Sequence, residues 1–264
     1  MYVSVAVMDT GIFRHMDFDT RIAGFADFVG RKKYLYDDNG HGTHVAGIIA
    51  GSGKGSNGKY RGIAPDTFLV SVKVLDKSGN GKIENVVEAA GWIIENKSAM
   101  NIRVVNISFG TRAKMENGPA IETGEDDYAL IMAVEKMWDS GIVVVAAAGN
   151  NGPGNASVTA PGISKKIITV GAFDDKNFFS GRGPTRECIV KPEVVVTGSN
   201  IIACNNHQGR YSSKSGTSMA APVVSGAVAR LIKNNPDITP KEVKIWMKSC
   251  CKKINVPSEK QGWG

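Results

Sequence analysis

The sequence predicts an α/β fold, a doubly wound and mostly parallel sheet in three layers with helices on both faces. Two observations predict it. Five short runs rich in Val and Ile are almost continuous, as in strands that are buried on both faces. Segments with helical spacing of apolar residues lie between these runs, and such alternation forms right-handed crossovers in a parallel sheet.

The elements follow in chain order. The five predicted strands cover residues 3–8, 68–75, 102–108, 142–148 and 167–172. Helical spacing predicts helices after Gly40, from Ile83, around Leu130, and from about Thr217 to Lys233. A last helix is predicted after Thr239, because Thr is a good N-cap and is followed by Pro and, one turn on, by Glu.

Two segments are predicted to be loops. Residues 51–58 are rich in Gly, but they follow a helix and lack the Gly-Lys-Ser/Thr ending of a phosphate-binding loop. We therefore expect a surface loop there. Residues 111–127 are polar and acidic, and we expect them to form a mobile loop.

Composition excludes several classes of protein. The chain has 264 residues, of which 42% are hydrophobic and 22% charged, so collagenous, disordered and coiled-coil proteins are excluded. We expect one domain over residues 1–264. The net charge is +7, but the charges are dispersed along the chain, so we expect no nucleic-acid partner. The longest apolar runs are far below the roughly 20 residues that cross a bilayer, so we expect no membrane partner.

The cysteines and the N-terminus bear on localisation. Four cysteines show no zinc spacing, and the adjacent Cys250 and Cys251 have poor geometry for a disulfide. The N-terminus has no basic region or cleavage site of a signal peptide. These features favour a cytoplasmic protein, and a secreted protein whose leader has been removed is the alternative.

Polar side chains with reactive potential occur where buried elements meet Gly-rich backbone. Asp9 follows the first strand directly, at the end of a parallel strand where open α/β sheets place their ligands. Asn150 ends another strand and is either a turn residue or an amide donor to an oxyanion. Ser218 lies in the first turn of a helix and is either an N-cap or a nucleophile near the helix dipole.

Two histidines lie near the start of the helix after Gly40. A pair of histidines can ligate zinc, but His41 and His44 have no helical Glu in a His-Glu-x-x-His pattern. His41 is flanked by glycines that let a substrate backbone approach, so it is the better candidate for a general base. His44 is embedded in an apolar helix and is expected to be a hydrogen-bonded core residue.

These motifs together resemble those of the subtilisin-like serine proteases, the subtilases of peptidase family S8. The motifs that carry the resemblance are Asp9-Thr10-Gly11, the segment from His41 to Gly47, and the segment from Gly216 to Pro222. Supporting motifs occur at residues 62–65, 106–110 and 147–150, so the resemblance covers essentially the whole chain. Within this family, the chain resembles the bacterial intracellular, AprX-like branch. The features that carry this are the absence of a signal peptide and the sequence of the loop at residues 56–65.

The resemblance implies a subtilisin-like fold and a serine endopeptidase that needs no cofactor for its chemistry. Ser218 would be the nucleophile, His41 the general base, and Asp9 the residue that orients His41. The Asn150 amide and the Ser218 N–H would hold the oxyanion. Peptides or unfolded proteins would be the substrates. The resemblance further implies a single catalytic domain over residues 1–264 and an inhibitory prosegment as an expected partner, although no prosegment precedes Met1 in this sequence.

The resemblance also implies a cleft that binds substrate as an added strand. The expected substrate-binding residues are Ser108, Phe109 and Gly110 on one side, Ala147, Ala148 and Gly149 on the other, and Thr159 with Ala160 near the base of the pocket. Small uncharged residues at the base imply broad specificity with an apolar or medium-sized P1 side chain. The acidic pair before His41, Asp37 and Asp38, either favours basic substrate residues or is simply solvated.

Subtilases often hold a structural calcium ion, and Asp17 is the candidate ligand here. The loop that would supply other ligands, residues 51–61, contains almost no carboxylate, so we expect the calcium site to be altered or absent.

A catalytically silent subtilase-fold module that binds peptides or regulates a partner is the alternative function.

Overall fold

The computed structural model describes residues 2–111, 124–176 and 178–264. Within those residues, the main sheet has seven strands: β1 Ser4–Asp9, β2 Ile22–Asp27, β3 Phe68–Lys73, β4 Ile102–Ile107, β5 Val143–Ala147, β6 Ile168–Ala172 and β7 Val194–Val196. Their order across the sheet is β2-β3-β1-β4-β5-β6-β7, and every neighbouring pair is parallel. A separate antiparallel pair comprises β8 Ile201–Cys204 and β9 Tyr211–Lys214.

Helices cover both faces of the sheet. The helices in the described parts of the chain are α1 His41–Ala50, α2 Ile83–Asn96, α3 Glu125–Asp139, α4 Thr217–Asn234, α5 Pro240–Cys250 and α6 Ser258–Gln261. Side chains of β1 alternate between two cores: Val5 and Val7 pack on the side of α1 and α4, whereas Ala6 and Met8 pack on the side of α2 and α3. The three-layer, mostly parallel α/β fold predicted from the sequence is therefore confirmed.

The five predicted strands and the predicted helices are all present, whereas the strands β2, β7, β8 and β9 and the helix α6 were missed. The edge strand β2 is only partly buried and contains Gly24, so it lacks the continuous apolar run of an inner strand. Strand β7 has only three residues, and the β8–β9 pair has mixed burial without clear alternation. The short helix α6 also carried no apolar periodicity.

Helix α5 begins as predicted from Thr239. The Thr239 side chain accepts a hydrogen bond from the Glu242 N–H, and the Glu242 carboxylate accepts from the Thr239 N–H, so the pair forms a capping box with Pro240 in the first turn. The sequence signature and the geometry agree at this position.

Both segments predicted to be loops, residues 51–58 and 111–127, contain structure that the sequence did not predict. In the segment 51–58, the chain makes a short 3₁₀ turn at Lys54–Ser56 and folds over the buried side chain of Asp17, so it is more than a surface loop. The prediction of a loop up to residue 127 is wrong at its end, because α3 begins at Glu125 and carries three acidic residues in its first turn, where the helix dipole favours them. Residues 112–123 of that segment lie outside the described residues.

Among the described residues, no helix is both long and apolar enough to span a membrane.

Candidate active site

Asp9 and His41 meet at the carboxyl edge of the sheet. Asp9 is the last residue of β1 and is fully buried, and His41 is the first residue of α1. Nδ1 of His41 lies 2.8 Å from Oδ1 and 2.9 Å from Oδ2 of Asp9. An ionised carboxylate in this position accepts the Nδ1 proton, which leaves Nε2 of the neutral ring as the atom that can accept another proton.

Glycine at position 42 permits this close approach of α1 to β1. A Cβ atom at Gly42 would lie 2.1 Å from the Gly11 carbonyl oxygen and 3.0 Å from the Asp9 Cβ. Both contacts are with rigid parts of the chain, so a side chain here would push α1 and His41 away from Asp9.

The electrostatic surroundings of His41 act in opposite directions. Burial lowers the pKa of His41, whereas the charge and hydrogen bond of Asp9, with a smaller contribution from Asp37, raise it. The charge of Lys214 also lowers the pKa. The net result is a pKa above the ordinary value of 6.5, so the imidazolium ion is stabilised at this site.

Asp37 is a buried residue that holds the start of α1, a role that the sequence did not reveal. Its carboxylate accepts hydrogen bonds from Gly40 N at 2.8 Å, Thr43 N at 3.0 Å and the Thr10 hydroxyl at 2.9 Å. Only 6% of Asp37 is exposed, so it is neither solvated nor available to a substrate. It fastens the start of α1 to the segment that follows Asp9.

Asp38 is exposed, as a solvated loop carboxylate would be, but it also has a buried partner. Its carboxylate accepts from the buried ammonium of Lys73 at 2.7 Å, and the same ammonium donates to the carbonyls of Thr10 and Leu75. Lys73 is 1% exposed and lies at the end of β3. The signal that could have revealed it is a lysine in a predicted strand whose other residues, except Ser71, are apolar.

Ser218 lies in the first turn of α4, where the first four N–H groups of a helix have no helical partner. Its hydroxyl donates a hydrogen bond to the Ser108 carbonyl oxygen, and the two oxygen atoms are 2.7 Å apart. Among the hydrogen bonds of the described residues, none joins the Ser218 hydroxyl to His41. In this structure the hydroxyl of the candidate nucleophile is therefore bonded to the backbone of Ser108 and not to His41.

Asn150 is oriented by the neighbouring helix. Its Oδ1 accepts hydrogen bonds from both N and Oγ1 of Thr217 at 3.0 Å, and that residue is the first of α4. Because the oxygen is occupied by two donors, Nδ2 is the amide atom left to donate into the cleft beside Ser218.

A cavity of about 400 Å³ adjoins these residues. Five of the predicted substrate-binding residues line it together with Asn150 and Ser218: Phe109, Gly110, Ala147, Gly149 and Thr159.

The remaining predicted pocket residues lie behind this lining. Ala148 is fully buried, and its carbonyl accepts from Thr159 N. Ser108 contacts Ser218 through both its hydroxyl and its carbonyl, and Ala160 is buried in the core on the α2 and α3 side of the sheet.

Thr159 lines the cavity and lies between two glycines. A Cβ atom at Gly110 would lie 2.3 Å from the Thr159 hydroxyl oxygen, and one at Gly149 would lie 2.6 Å from it. The Thr159 hydroxyl is itself buried without a hydrogen-bond partner among the described residues. Positions 110 and 149 must therefore be glycine for the Thr159 side chain to fit between them.

His44 is a core residue. It is fully buried, and its Nε2 contacts the carbonyl oxygens of Ile201 and Ser212 at 3.1 and 3.0 Å. Burial lowers the pKa of His44 to about 4, so the ring is neutral and links α1 to the β8–β9 pair.

The surroundings of Asp17 consist of hydrogen-bond donors. Its carboxylate accepts from Gly53 N at 3.0 Å, Gly55 N at 2.9 Å and the Tyr211 hydroxyl at 2.9 and 3.0 Å. Calcium needs several oxygen atoms that act as acceptors, and donors aimed at the same carboxylate would repel it. The residues around Asp17 therefore do not fit a calcium ion.

A transition metal fits this place no better. Among the described residues, His15 and Cys204 are the other potential ligands within 4.8 Å. However, Nδ1 of His15 accepts from the Asp17 N–H, and its Nε2 lies 3.1 Å from the Arg210 carbonyl oxygen. Burial raises the pKa of the Cys204 thiol, so the thiolate that a metal needs is disfavoured.

Comparison with known proteins places this geometry in a family. The model of the subtilase family matches residues 2–264. The chain is 42% identical to serine protease AprX of Bacillus subtilis (strain 168) over 94% of its length, but it spans only 60% of that relative. It is 35% identical to subtilisin DY of Bacillus licheniformis, covering 92% of this chain and 81% of the relative. A solved cold-adapted subtilisin-like serine proteinase superposes with a TM-score of 0.79 at 31% identity, covering 98% of this chain and 85% of that one.

Proposed function

The chain belongs to the subtilase family, and on that premise we propose that it is a serine endopeptidase that acts through an acyl-enzyme on Ser218. The observation that carries the proposal is the pairing of His41 with the buried Asp9, at 2.8 and 2.9 Å. This pairing supplies a ring whose Nε2 can accept a proton and whose charged form is stabilised.

The proposed reaction starts with a movement of the Ser218 hydroxyl. It leaves the Ser108 carbonyl and donates its proton to Nε2 of His41 while Oγ attacks the scissile peptide carbon. The C–N bond then breaks as His41 returns the proton to the leaving amine, which leaves the acyl group on Ser218. Water enters by the reverse sequence and releases the acid.

Two donors are proposed to hold the negatively charged oxygen that develops during the attack. They are Nδ2 of Asn150, oriented by Thr217, and the N–H of Ser218 in the first turn of α4, which has no hydrogen-bond partner among the described residues. The helix dipole adds positive potential at the same place. Peptides and unfolded proteins are the proposed substrates, bound as an added strand along residues 108–110.

The proposal is tested by labelling the purified protein with a fluorophosphonate probe and by digestion of casein. We expect wild type to label and cleave, Ser218→Ala to do neither, and Ser213→Ala, which alters an exposed serine on β9, to behave as wild type. Folded wild-type protein that neither labels nor cleaves would contradict the proposal. It would favour the silent-module alternative, for which the resting contact of Ser218 with Ser108 is the supporting observation.

The proposed specificity is for small or medium-sized apolar P1 side chains, because the Thr159 side chain shortens the pocket. Thr159→Gly should raise the preference for P1 Phe over P1 Ala by about tenfold or more, as expected when a pocket gains room for several carbon atoms. Thr159→Ser removes only a methyl group and should give an intermediate ratio. The measurement is kcat/KM for two matched peptides, and an unchanged ratio in Thr159→Gly would place the P1 side chain elsewhere.

A further inference from the structure

A chain of buried polar side chains runs from the interior of α4 back to its catalytic first turn. The Ser225 hydroxyl donates to Oδ1 of Asn106 at 2.8 Å, and Nδ2 of Asn106 donates to the Ser108 hydroxyl at 2.9 Å. The Ser108 hydroxyl in turn donates to the Ser218 carbonyl oxygen at 2.9 Å. Ser225 and Asn106 are fully buried, and Ser108 is 2% exposed. None of the proposed proton transfers uses Asn106 or Ser225.

The direction of every hydrogen bond in this chain is fixed. Nδ2 of Asn106 can only donate, so the Ser108 oxygen must accept from it. The Ser108 proton is then free to point only at the Ser218 carbonyl. The orientation of the Ser108 hydroxyl therefore depends on the orientation of the Asn106 amide. The Ser225 hydroxyl fixes the amide orientation because it donates to Oδ1 of Asn106.

The Ser218 carbonyl needs this outside donor because of the residue four positions further on. In a regular helix it would accept from the N–H of residue 222, but that residue is Pro222, which has no N–H. The Ser108 hydroxyl supplies the missing donor from the sheet side. The start of α4 is thus tied to the end of β4 at the residue that carries the nucleophile.

We infer that Asn106 and Ser225 are positioning residues for the nucleophile. Through Ser108 they fix the Ser218 carbonyl, and with it the position of the Ser218 Cα, from which the Oγ projects toward the cleft. This inference rests on the proposed function, because it concerns the same serine. A buried amide in the middle of a strand is costly unless its hydrogen bonds are satisfied, and here its partners lie at the nucleophile.

The test uses Asn106→Leu, which keeps the volume and removes both hydrogen bonds, and Ser225→Ala, which removes only the far end of the chain. The matched control is Ser71→Ala on β3, a buried strand serine of the same sheet whose hydroxyl has no partner among the described residues. We expect kcat of Asn106→Leu to fall about 10- to 100-fold, as for a small misplacement of a reacting group, with KM little changed. For Ser225→Ala we expect about fivefold, the equivalent of one neutral hydrogen bond.

The double variant separates positioning from general loss of stability. If the residues act in one chain, adding Ser225→Ala to Asn106→Leu should lower kcat no further, whereas independent effects would multiply. Fluorophosphonate labelling rates should follow the same pattern. The inference is overturned if folded Asn106→Leu and Ser225→Ala keep kcat within about twofold of Ser71→Ala, a difference smaller than one hydrogen bond. Should Asn106→Leu not fold, Ser225→Ala alone decides by the same criterion. An inactive wild type would instead refute the proposed function.

Discussion

Two carboxylates eight positions apart in the sequence, Asp9 and Asp17, are both fully buried but have opposite surroundings. Asp9 faces His41, a group that can gain or lose a proton and that borders the cleft. Asp17 accepts from backbone N–H groups, a tyrosine hydroxyl and the Cys204 thiol. Burial raises the pKa of Cys204 and lowers the pKa of the neighbouring His15, so these partners stay neutral. The comparison teaches that burial alone does not identify a catalytic carboxylate. The decisive feature is whether its partner can change charge during a reaction.

The largest expected effect comes from the first carboxylate. Asp9→Asn keeps the shape but presents an amide that no longer fixes the His41 tautomer or stabilises the imidazolium ion. We expect kcat to fall about 10⁴-fold, the size measured for this substitution in a related triad. Steady-state kinetics on casein-derived peptides measures it, with the thermal midpoint as a check of folding. A fall of less than about tenfold would show that His41 does not depend on Asp9.

Asp17→Asn should have the opposite effect, a loss of stability with little change in activity. Its amide group would turn donors toward the donors of the 51–58 segment, so we expect a loss of about 1–3 kcal/mol in the free energy of unfolding. The activity of the folded fraction should stay close to wild type. Denaturant unfolding and active-site titration measure the two quantities.

Removal of metal ions tests whether Asp17 holds a cation. Because the donors around Asp17 leave no place for a cation, EDTA should not lower the thermal midpoint through this region. The measurement is a melting curve with EDTA and with added calcium. A fall in the midpoint with EDTA that is absent in Asp17→Asn would contradict this view of Asp17.

The smallest expected effect concerns pH. The pKa of His41 is raised, so the acid limb of kcat/KM should lie above pH 6.5, because below it His41 is protonated and cannot accept the Ser218 proton. Lys214→Gln removes a positive charge that lowers this pKa, so the limb should move to higher pH. Lys59→Gln, which alters an exposed lysine in a turn, is the control. A limb that moves to lower pH in Lys214→Gln would contradict the assignment.

Much of the fold could be predicted because each inner strand is a local apolar run. The edge strand β2 and the three-residue β7 could not, since one is half exposed and the other too short for a pattern.

The site divides in a similar way. Asp9 and His41 lie in local motifs, but the contacts that hold the site join residues far apart in sequence. Asn106 contacts Ser225, 119 positions away, and Ser108 contacts Ser218, 110 positions away. No local spacing encodes such pairs.

The most direct test compares fluorophosphonate labelling rates of wild type, Asp9→Asn and Asp17→Asn at a temperature where all three are folded. The account predicts that Asp9→Asn labels at least about 100-fold more slowly, since its base is no longer oriented, while Asp17→Asn labels at nearly the wild-type rate. Equal losses in the two variants, or an Asp9→Asn rate like that of wild type, would contradict the distinction between a carboxylate that serves catalysis and one that holds a loop.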